Sequence, residues 1–271
     1  MRTEASDKGW AIVTGASSGT GLVFAQELAL RGHNVLAVAR RRDRLEGLAR
    51  DASAKGGRID TLIADLGTSE GLASLVTRIG ELYTIDLLVN NAGMATAGDF
   101  SDSVLERELA EIRLNVNAVV TLTHAVLARM LPRGSGAIIN LASVVAFQPF
   151  PHFAVYAASK AFVLSFTEAV AQEIRGSGVR IMALCPGAAK TEMNVFSNNA
   201  GLLGKLPSLS AEQIVATALR GIAAGSVVKI VGWPNRILVF LNRFVPRAAV
   251  RWMMGAIATA PPQPAADRAT P

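Results

Sequence analysis

The sequence predicts a doubly wound α/β domain, with seven parallel strands in the order 3-2-1-4-5-6-7 and helices on both faces. Three observations predict it. Seven short runs are apolar along most of their length, as strands buried on both faces of a parallel sheet are. Longer segments with apolar residues at helical spacing separate those runs, so the chain is a series of βα units, and right-handed crossovers build one sheet from them. The 271 residues are 51% hydrophobic and 18% charged. That is enough apolar mass for one large core and too little charge for disorder along most of the chain. No internal boundary is visible, so residues 1–260 read as a single domain.

The elements follow in order. The predicted strands are Trp10–Val13, Val35–Ala39, Arg58–Ile63, Ile85–Val89, Ala137–Leu141, Val179–Leu184 and Val227–Val231. The helical segments between them are Leu22–Arg31, Leu45–Ala54, Leu72–Leu82, Leu105–Leu131, Tyr156–Arg175 and Ala211–Ala224. Ligands in such sheets bind beyond the carboxyl ends of the strands, near the switch in strand order. Residues 232–260 read as a basic, amphipathic helical extension, and the Pro- and Ala-rich residues 261–271 as a disordered tail.

The net charge of +6 is unevenly placed. From Ser226 onward, Lys229, Arg236, Arg243, Arg247, Arg251 and Arg268 stand against Asp267 alone, so nearly all the excess lies there. A uniformly basic nucleic-acid binder does not look like this. No signal-peptide stretch follows the polar Met1–Lys8, and no apolar run approaches the ~20 residues that span a bilayer. Cys185 is the single cysteine, so no intrachain disulfide forms. These features predict a cytoplasmic protein. His33, His124 and His152 are scattered, with no acid at metal-ligand spacing, and no metal site is expected.

After the first strand comes Gly15-Ala16-Ser17-Ser18-Gly19-Thr20-Gly21. Glycines allow a tight turn and close approach of backbone to a pyrophosphate, and the following helix offers it free N–H groups. Gly15, Ser17, Ser18, Gly19, Thr20 and Gly21 are therefore candidate cofactor contacts. At the end of the second strand an NAD enzyme usually carries an acid for the adenosine ribose. This chain has Ala39, then Arg40, Arg41 and Arg42. Cations in place of a carboxylate favour NADP, with Arg40 the first candidate for the 2′-phosphate and Arg41 beside it.

Tyr156 and Lys160 are four residues apart at the start of a helical segment and share one face. A lysine there favours the phenolate and lowers the tyrosine pKa from about 10, which makes it a usable acid/base. A lone pair at this spacing is common by chance, and the pentapeptide alone reads better as a surface tyrosine and a solvated lysine.

With its neighbours in sequence the pair resembles the short-chain dehydrogenase/reductase family, from about Gly9 to Val231. The glycine turn matches the family's Thr14-Gly15-x-x-x-Gly19-x-Gly21. Asn90-Asn91-Ala92-Gly93 follows the fourth strand, Ser143 the fifth, and Pro186-Gly187 with Thr191 the sixth. The resemblance implies a Rossmann-type fold and a catalytic set of Asn115, Ser143, Tyr156 and Lys160. Tyr156 exchanges a proton with the substrate oxygen. Lys160 holds the nicotinamide ribose, Ser143 binds the substrate oxygen, and Asn115 supports a water path. Asn117, two residues on, competes for that last role. Asp65 and Leu66 are implied at adenine, Asn91, Ala92 and Gly93 along the adenosine side, and Pro186, Gly187 and Thr191 at the nicotinamide. Ala189 stands where the family has a larger aliphatic residue.

The expected function is NADP(H)-dependent hydride transfer between nicotinamide and a small-molecule carbonyl or alcohol, by a homodimer or homotetramer. A reductase of 3-oxoacyl thioesters and a non-catalytic NADP-binding regulatory protein are the alternatives. Val144, Val145, Phe147, Phe150 and Phe153 flank the serine and tyrosine. They suit an apolar substrate, and core packing accounts for them equally. Val195–Leu209 occupies the family's substrate-loop region. In the extension, Arg236, Arg243, Arg247 and Arg251 share one helical face if Pro246 begins its second part, opposite Ile237, Phe240, Leu241 and Phe244. Such a helix lies on an anionic membrane surface, or packs across the cleft or on another subunit.

Overall fold

The computed structural model describes residues 8–187 and 209–258. The expectations for Thr191, for Ala189, for all of the 195–209 loop but Leu209, and for the 261–271 tail lie outside the described residues. The strands are β1 (Trp10–Thr14), β2 (Asn34–Ala39), β3 (Arg58–Ile63), β4 (Ile85–Asn90), β5 (Gly136–Leu141), β6 (Val179–Cys185) and β7 (Val228–Ile230). They form one parallel sheet in the order β3-β2-β1-β4-β5-β6-β7, as the sequence predicts.

Successive side chains of a strand point to opposite faces of its sheet. Ala11, Val13, Val35, Ala37, Leu87 and Val89 accordingly pack on one side, while Ile12, Leu36, Val38 and Leu88 pack on the other. Helices α1 (Gly19–Leu30), α2 (Arg42–Ala54) and α7 (Ala211–Ala223) cover the first side. Helices α3 (Ser69–Glu81), α5 (Ala118–Met130) and α6 (Ala154–Glu173) cover the second.

The predicted helix over 105–131 is interrupted. It divides into α4 (Leu105–Ile112), a π-helical turn over Arg113–Asn117, and α5. The extra residue of a π turn rotates the helix before it relative to the helix after it, and such turns concentrate at functional sites. By length and composition α6 is apolar enough to cross a membrane, contrary to the count of apolar runs. Its buried Tyr156, Lys160 and Thr167 make it a core helix of the domain.

The extension forms α8 (Trp233–Asn242) and α9 (Arg247–Ile257). Val250 and Met254 of α9 join Val145, Phe150, Phe153, Tyr156 and Ala157 in one buried cluster. Asn242 of α8 donates through Nδ2 to Gln148 Oε1 at 2.9 Å. Packing against the protein near Tyr156, one of the open alternatives, is thus what α9 does.

Candidate active site

The site lies beyond the carboxyl ends of β1, β4, β5 and β6. Its floor is a buried polar chain. Asn90, the last residue of β4, donates to Asn140 Oδ1 of β5 at 2.9 Å, and Asn140 donates to Thr167 Oγ1 of α6 at 3.0 Å. These bonds fix β4, β5 and α6 relative to one another, and so fix the residues that leave them.

Ser143 follows β5 and caps the short 3-10 turn Val144–Phe147, its Oγ accepting from Val145 N at 3.3 Å. Tyr156 and Lys160 lie one turn apart on the buried face of α6. Lys160 Nζ is 5.7 Å from the Tyr156 ring centre and donates to Leu141 O at 2.8 Å. The π turn carries Asn115 inward to full burial and leaves Asn117 exposed, which separates the two candidates. Asn115 Oδ1 accepts from Met94 N at 3.0 Å, while Nδ2 donates to Met94 O at 2.9 Å and Ser159 Oγ at 3.0 Å. Ser159 Oγ in turn donates to Tyr156 O at 2.8 Å. Asn115, Ser143, Tyr156 and Lys160 therefore meet in one small volume.

The electrostatics correct one expectation. Burial pushes the Tyr156 phenol up to about 12, with the nearby Glu111 charge adding to it and the hydrogen bond with Ser143 pulling the other way. The lowering expected from Lys160 does not emerge, because the desolvation of a buried phenolate outweighs it. Burial also drives Lys160 down to about 8, against the Glu111 charge, which holds it up. Cys185 ends β6 fully buried, with its thiol pushed up to about 12.

The glycine turn fits a dinucleotide phosphate. Gly15 has φ +67°, and a Cβ there would stand 2.8 Å from Asn91 Nδ2. A Cβ on Gly21 would stand 2.3 Å from Gly15 O. Helix α1 begins at Gly19 with no acidic residue in its first turn, and the Ser18 side chain makes no capping bond. Ser17 and Thr20 are buried beside it. Asn91 is a brace, donating through Nδ2 to Thr14 O at 2.9 Å, while the Ala92 N–H donates to Thr14 Oγ1 at 2.9 Å. Gly93 lies against Asn115 Oδ1 and Lys160 Nζ.

The structure ranks the arginines differently from the sequence. Arg41 Nε and Nη2 donate to Ser17 Oγ at 3.1 and 2.9 Å, and Nη2 donates to Ser18 Oγ at 2.7 Å. Arg40, the first candidate, is 74% exposed and sits 3.6 Å from Asp65 Oδ2. Alternate residues leaving a strand end point to opposite sides, so the register selects Arg41 for the turn. Asp65 Oδ1 accepts from Gly67 N at 2.9 Å. Leu66 is buried in the core with Leu75 and Ile79. Pro186 O accepts from Val144 N at 3.1 Å, and Gly187 lies under Asn235 of α8. Among the described residues, no three His, Cys, Asp or Glu side chains are placed to hold a metal ion.

Three residues of the site region went unread in the sequence: Thr96, Glu108 and Glu111. Both glutamates are buried on α4, whereas Leu105, Leu109 and Ile112 of the same helix are exposed. A polar stripe at helical spacing was the signal available, but its direction was not.

Residues 9–202 match the family model described as short chain dehydrogenase. A short chain dehydrogenase of Pseudocercospora fijiensis is 39% identical over 186 residues, which cover 68% of this chain and 60% of that relative's length. Among solved structures, a short-chain dehydrogenase from Sphingobium yanoikuyae in complex with NADPH is similar at a TM-score of 0.77 and 32% identity, over 94% of this chain and 98% of that one. A bulky-bulky ketone specific alcohol dehydrogenase from Comamonas testosteroni is similar at a TM-score of 0.76 and 32% identity, over 94% and 97% of the two chains.

Proposed function

The chain belongs to the short-chain dehydrogenase/reductase family of oxidoreductases, and from that premise we propose that it reduces bulky, apolar carbonyl compounds with NADPH, using Tyr156 as proton donor. The observation that carries this reading is the meeting of Ser143, Tyr156, Lys160 and Asn115 beyond the strand ends, beside a glycine turn that fits a phosphate. When bound, NADPH supplies the hydride for the carbonyl carbon. A phenol held near 12 keeps its proton at neutral pH and is poised to donate it from Oη to the carbonyl oxygen. Ser143 Oγ hydrogen-bonds that oxygen as negative charge develops on it. Lys160, held near 8, is mostly charged at neutral pH and stabilises the tyrosinate left behind. In the reverse direction the same groups accept the proton of an alcohol.

The apolar substrate is supported by the apolar surroundings of Tyr156, which is buried in one cluster with Val145, Phe150 and Phe153 and with Val250 and Met254 of α9. The NADPH-bound and bulky-ketone relatives agree with both parts of the reading. The test is a panel of carbonyls and alcohols with NADPH and NADH, run on wild type and Tyr156→Phe. The variant binds NADPH and loses turnover. Turnover surviving at the original rate, or a preference for small charged oxo acids, refutes the proposal.

The same reading extends to partners. We propose assembly into a homodimer or homotetramer, measured by light scattering. We also propose that α8 touches an anionic lipid surface. Trp233, Ile237, Phe240, Leu241 and Phe244 form an exposed stripe at helical spacing, with Trp252 exposed on α9. Lys229, Arg236, Arg243, Arg247 and Arg251 face no acid between residues 226 and 258. Two copies meeting through this segment would bring like charges together, whereas an anionic headgroup layer complements them. The protein then sediments with phosphatidylglycerol vesicles at low salt, and Phe240→Ser with Phe244→Ser does not. Failure of wild type to sediment, or loss of a dimer in the variant instead, overturns this contact.

A further inference from the structure

We propose that Glu108 and Glu111 share one proton across Thr96, and that the remaining negative charge, beside Asn115, keeps Lys160 charged, making Glu111 a positioning residue for the tyrosine–lysine pair. The proposal rests on the roles given to Tyr156 and Lys160 above.

Helix α4 is inverted. Its Leu105, Leu109 and Ile112 are exposed, while Glu108 is 7% and Glu111 0% exposed. Burying carboxyl groups costs free energy unless partners and protons compensate them. The partner here is Thr96. Its Oγ1 lies 2.8 Å from Glu108 Oε2 and 2.6 Å from Glu111 Oε2. Its N–H donates to Glu111 Oε2 at 2.8 Å.

Counting protons decides the state. A threonine hydroxyl carries one hydrogen and accepts through its lone pairs. It can donate to one carboxylate only. If both glutamates were ionised, the second short contact would set lone pair against lone pair, with two buried like charges around one hydroxyl. One carboxyl must therefore hold a proton and donate it to Thr96 Oγ1, which donates to the other. The proton belongs to the pair, as it does when two carboxyl groups share one site. Burial and the Glu108 charge raise Glu111, and the Thr96 donors and Lys160 oppose them.

The charge that remains is coupled to the catalytic pair. Glu111 Oε1 accepts from Asn115 Nδ2 at 3.3 Å, one helical turn away across the junction with the π turn. The Glu111 charge holds Lys160 up against burial, and it also holds Tyr156 up. Beyond Glu108, the titratable group acting on Glu111 is Lys160 of α6, and beyond Glu111 the one acting on Lys160 is Cys185 of β6, whose thiol burial keeps protonated. Glu111 thus supplies the only negative charge acting on Lys160 near neutral pH among the described residues.

Two measurements test this. The first needs no turnover. Infrared spectra of wild type at neutral pH should show one protonated carboxylic acid carbonyl that vanishes in Glu108→Gln, because Thr96 then donates to Glu111 alone. A wild-type spectrum without that band overturns the shared proton, whatever the substrate proves to be. The second is the pH profile of kcat/KM. Glu111→Gln keeps the side-chain size and leaves the pair's charge on Glu108 alone, which lacks the contact to Asn115, so the basic limb should move to lower pH by on the order of one unit. Glu108→Gln leaves one full charge on Glu111 and should not move the limb downward. A uniform loss of rate in Glu111→Gln with the limb unmoved means the pair is structural only and overturns the positioning role. Absence of turnover in wild type with the band present instead overturns the proposed function and leaves the shared proton standing.

Discussion

Replacing Arg41 by alanine separates the register of the structure from the simpler reading of the sequence. The guanidinium of Arg41 rests on Ser17 and Ser18 of the glycine turn, at 2.7 to 3.1 Å. A ribose phosphate reaching that turn meets a preset cation, and a hydrogen bond to a charged group contributes ~1.5–3 kcal/mol. At 1.4 kcal/mol per factor of ten, Arg41→Ala should lower kcat/KM for NADPH by roughly 10- to 100-fold. NADH lacks the phosphate and should be nearly unaffected, so the preference between cofactors collapses. Arg40 offers a contrast. It is 74% exposed and lies 3.6 Å from a partly exposed Asp65. An exposed ion pair contributes about 0–1 kcal/mol, so Arg40→Ala should cost about fivefold or less. The assay is steady-state kinetics of both variants with both cofactors on one carbonyl. Equal losses with NADPH and NADH in Arg41→Ala, or a larger NADPH loss in Arg40→Ala, refute the reasoning.

Three other outcomes are expected. The Lys160 pKa falls from 10.5 to about 8 on folding, so the unfolded chain holds more protons between those values and stability rises with pH across that window. That fall corresponds to roughly 3 kcal/mol. Lys160→Met should therefore be the more stable protein at neutral pH by up to that amount, with the advantage fading toward about pH 10, and urea midpoints at both pH values check it. Gly21→Ala places a Cβ 2.3 Å from Gly15 O and 2.4 Å from Asn91 Nδ2. It should lose about 1–3 kcal/mol of stability and most NADPH affinity, read by thermal melts and fluorescence titration. Asn140→Ala breaks the links from β5 to Asn90 and Thr167. Each buried group left unpaired costs about 1–3 kcal/mol, so the denaturation midpoint should fall well below wild type while surface controls stay in place.

The sheet was legible because its central strands are apolar on both faces, and that pattern has one structural solution. Trp10–Thr14 is buried throughout and could only be a central strand. The glycine turn was legible from its place between a first strand and a first helix, whereas Ser143, Tyr156 and Lys160 were legible only through the family resemblance, because four-residue spacing by itself does not mark a site. What periodicity does not carry is direction. It identifies the residues that share a face, but not whether that face looks inward. Both surprises are of this kind. In α8 the sequence shows an apolar stripe from Ile237 to Phe244, and the structure turns it to solvent while Asn235, Val239 and Asn242 face the protein. In α4 Leu105, Leu109 and Ile112 point out while Glu108 and Glu111 point in. Each inversion has a local polar cause. Asn235 Nδ2 donates to Val231 O at 2.7 Å and Asn242 reaches Gln148; Glu108 and Glu111 meet Thr96. Hydrophobic burial alone would turn both helices over. Sequences break their own local rules chiefly where a site requires it; α4 packs on the helix that holds Tyr156, and α8 packs on the turn that Ser143 caps. The inverted faces are therefore the parts of this fold whose orientation the active site explains better than the core does.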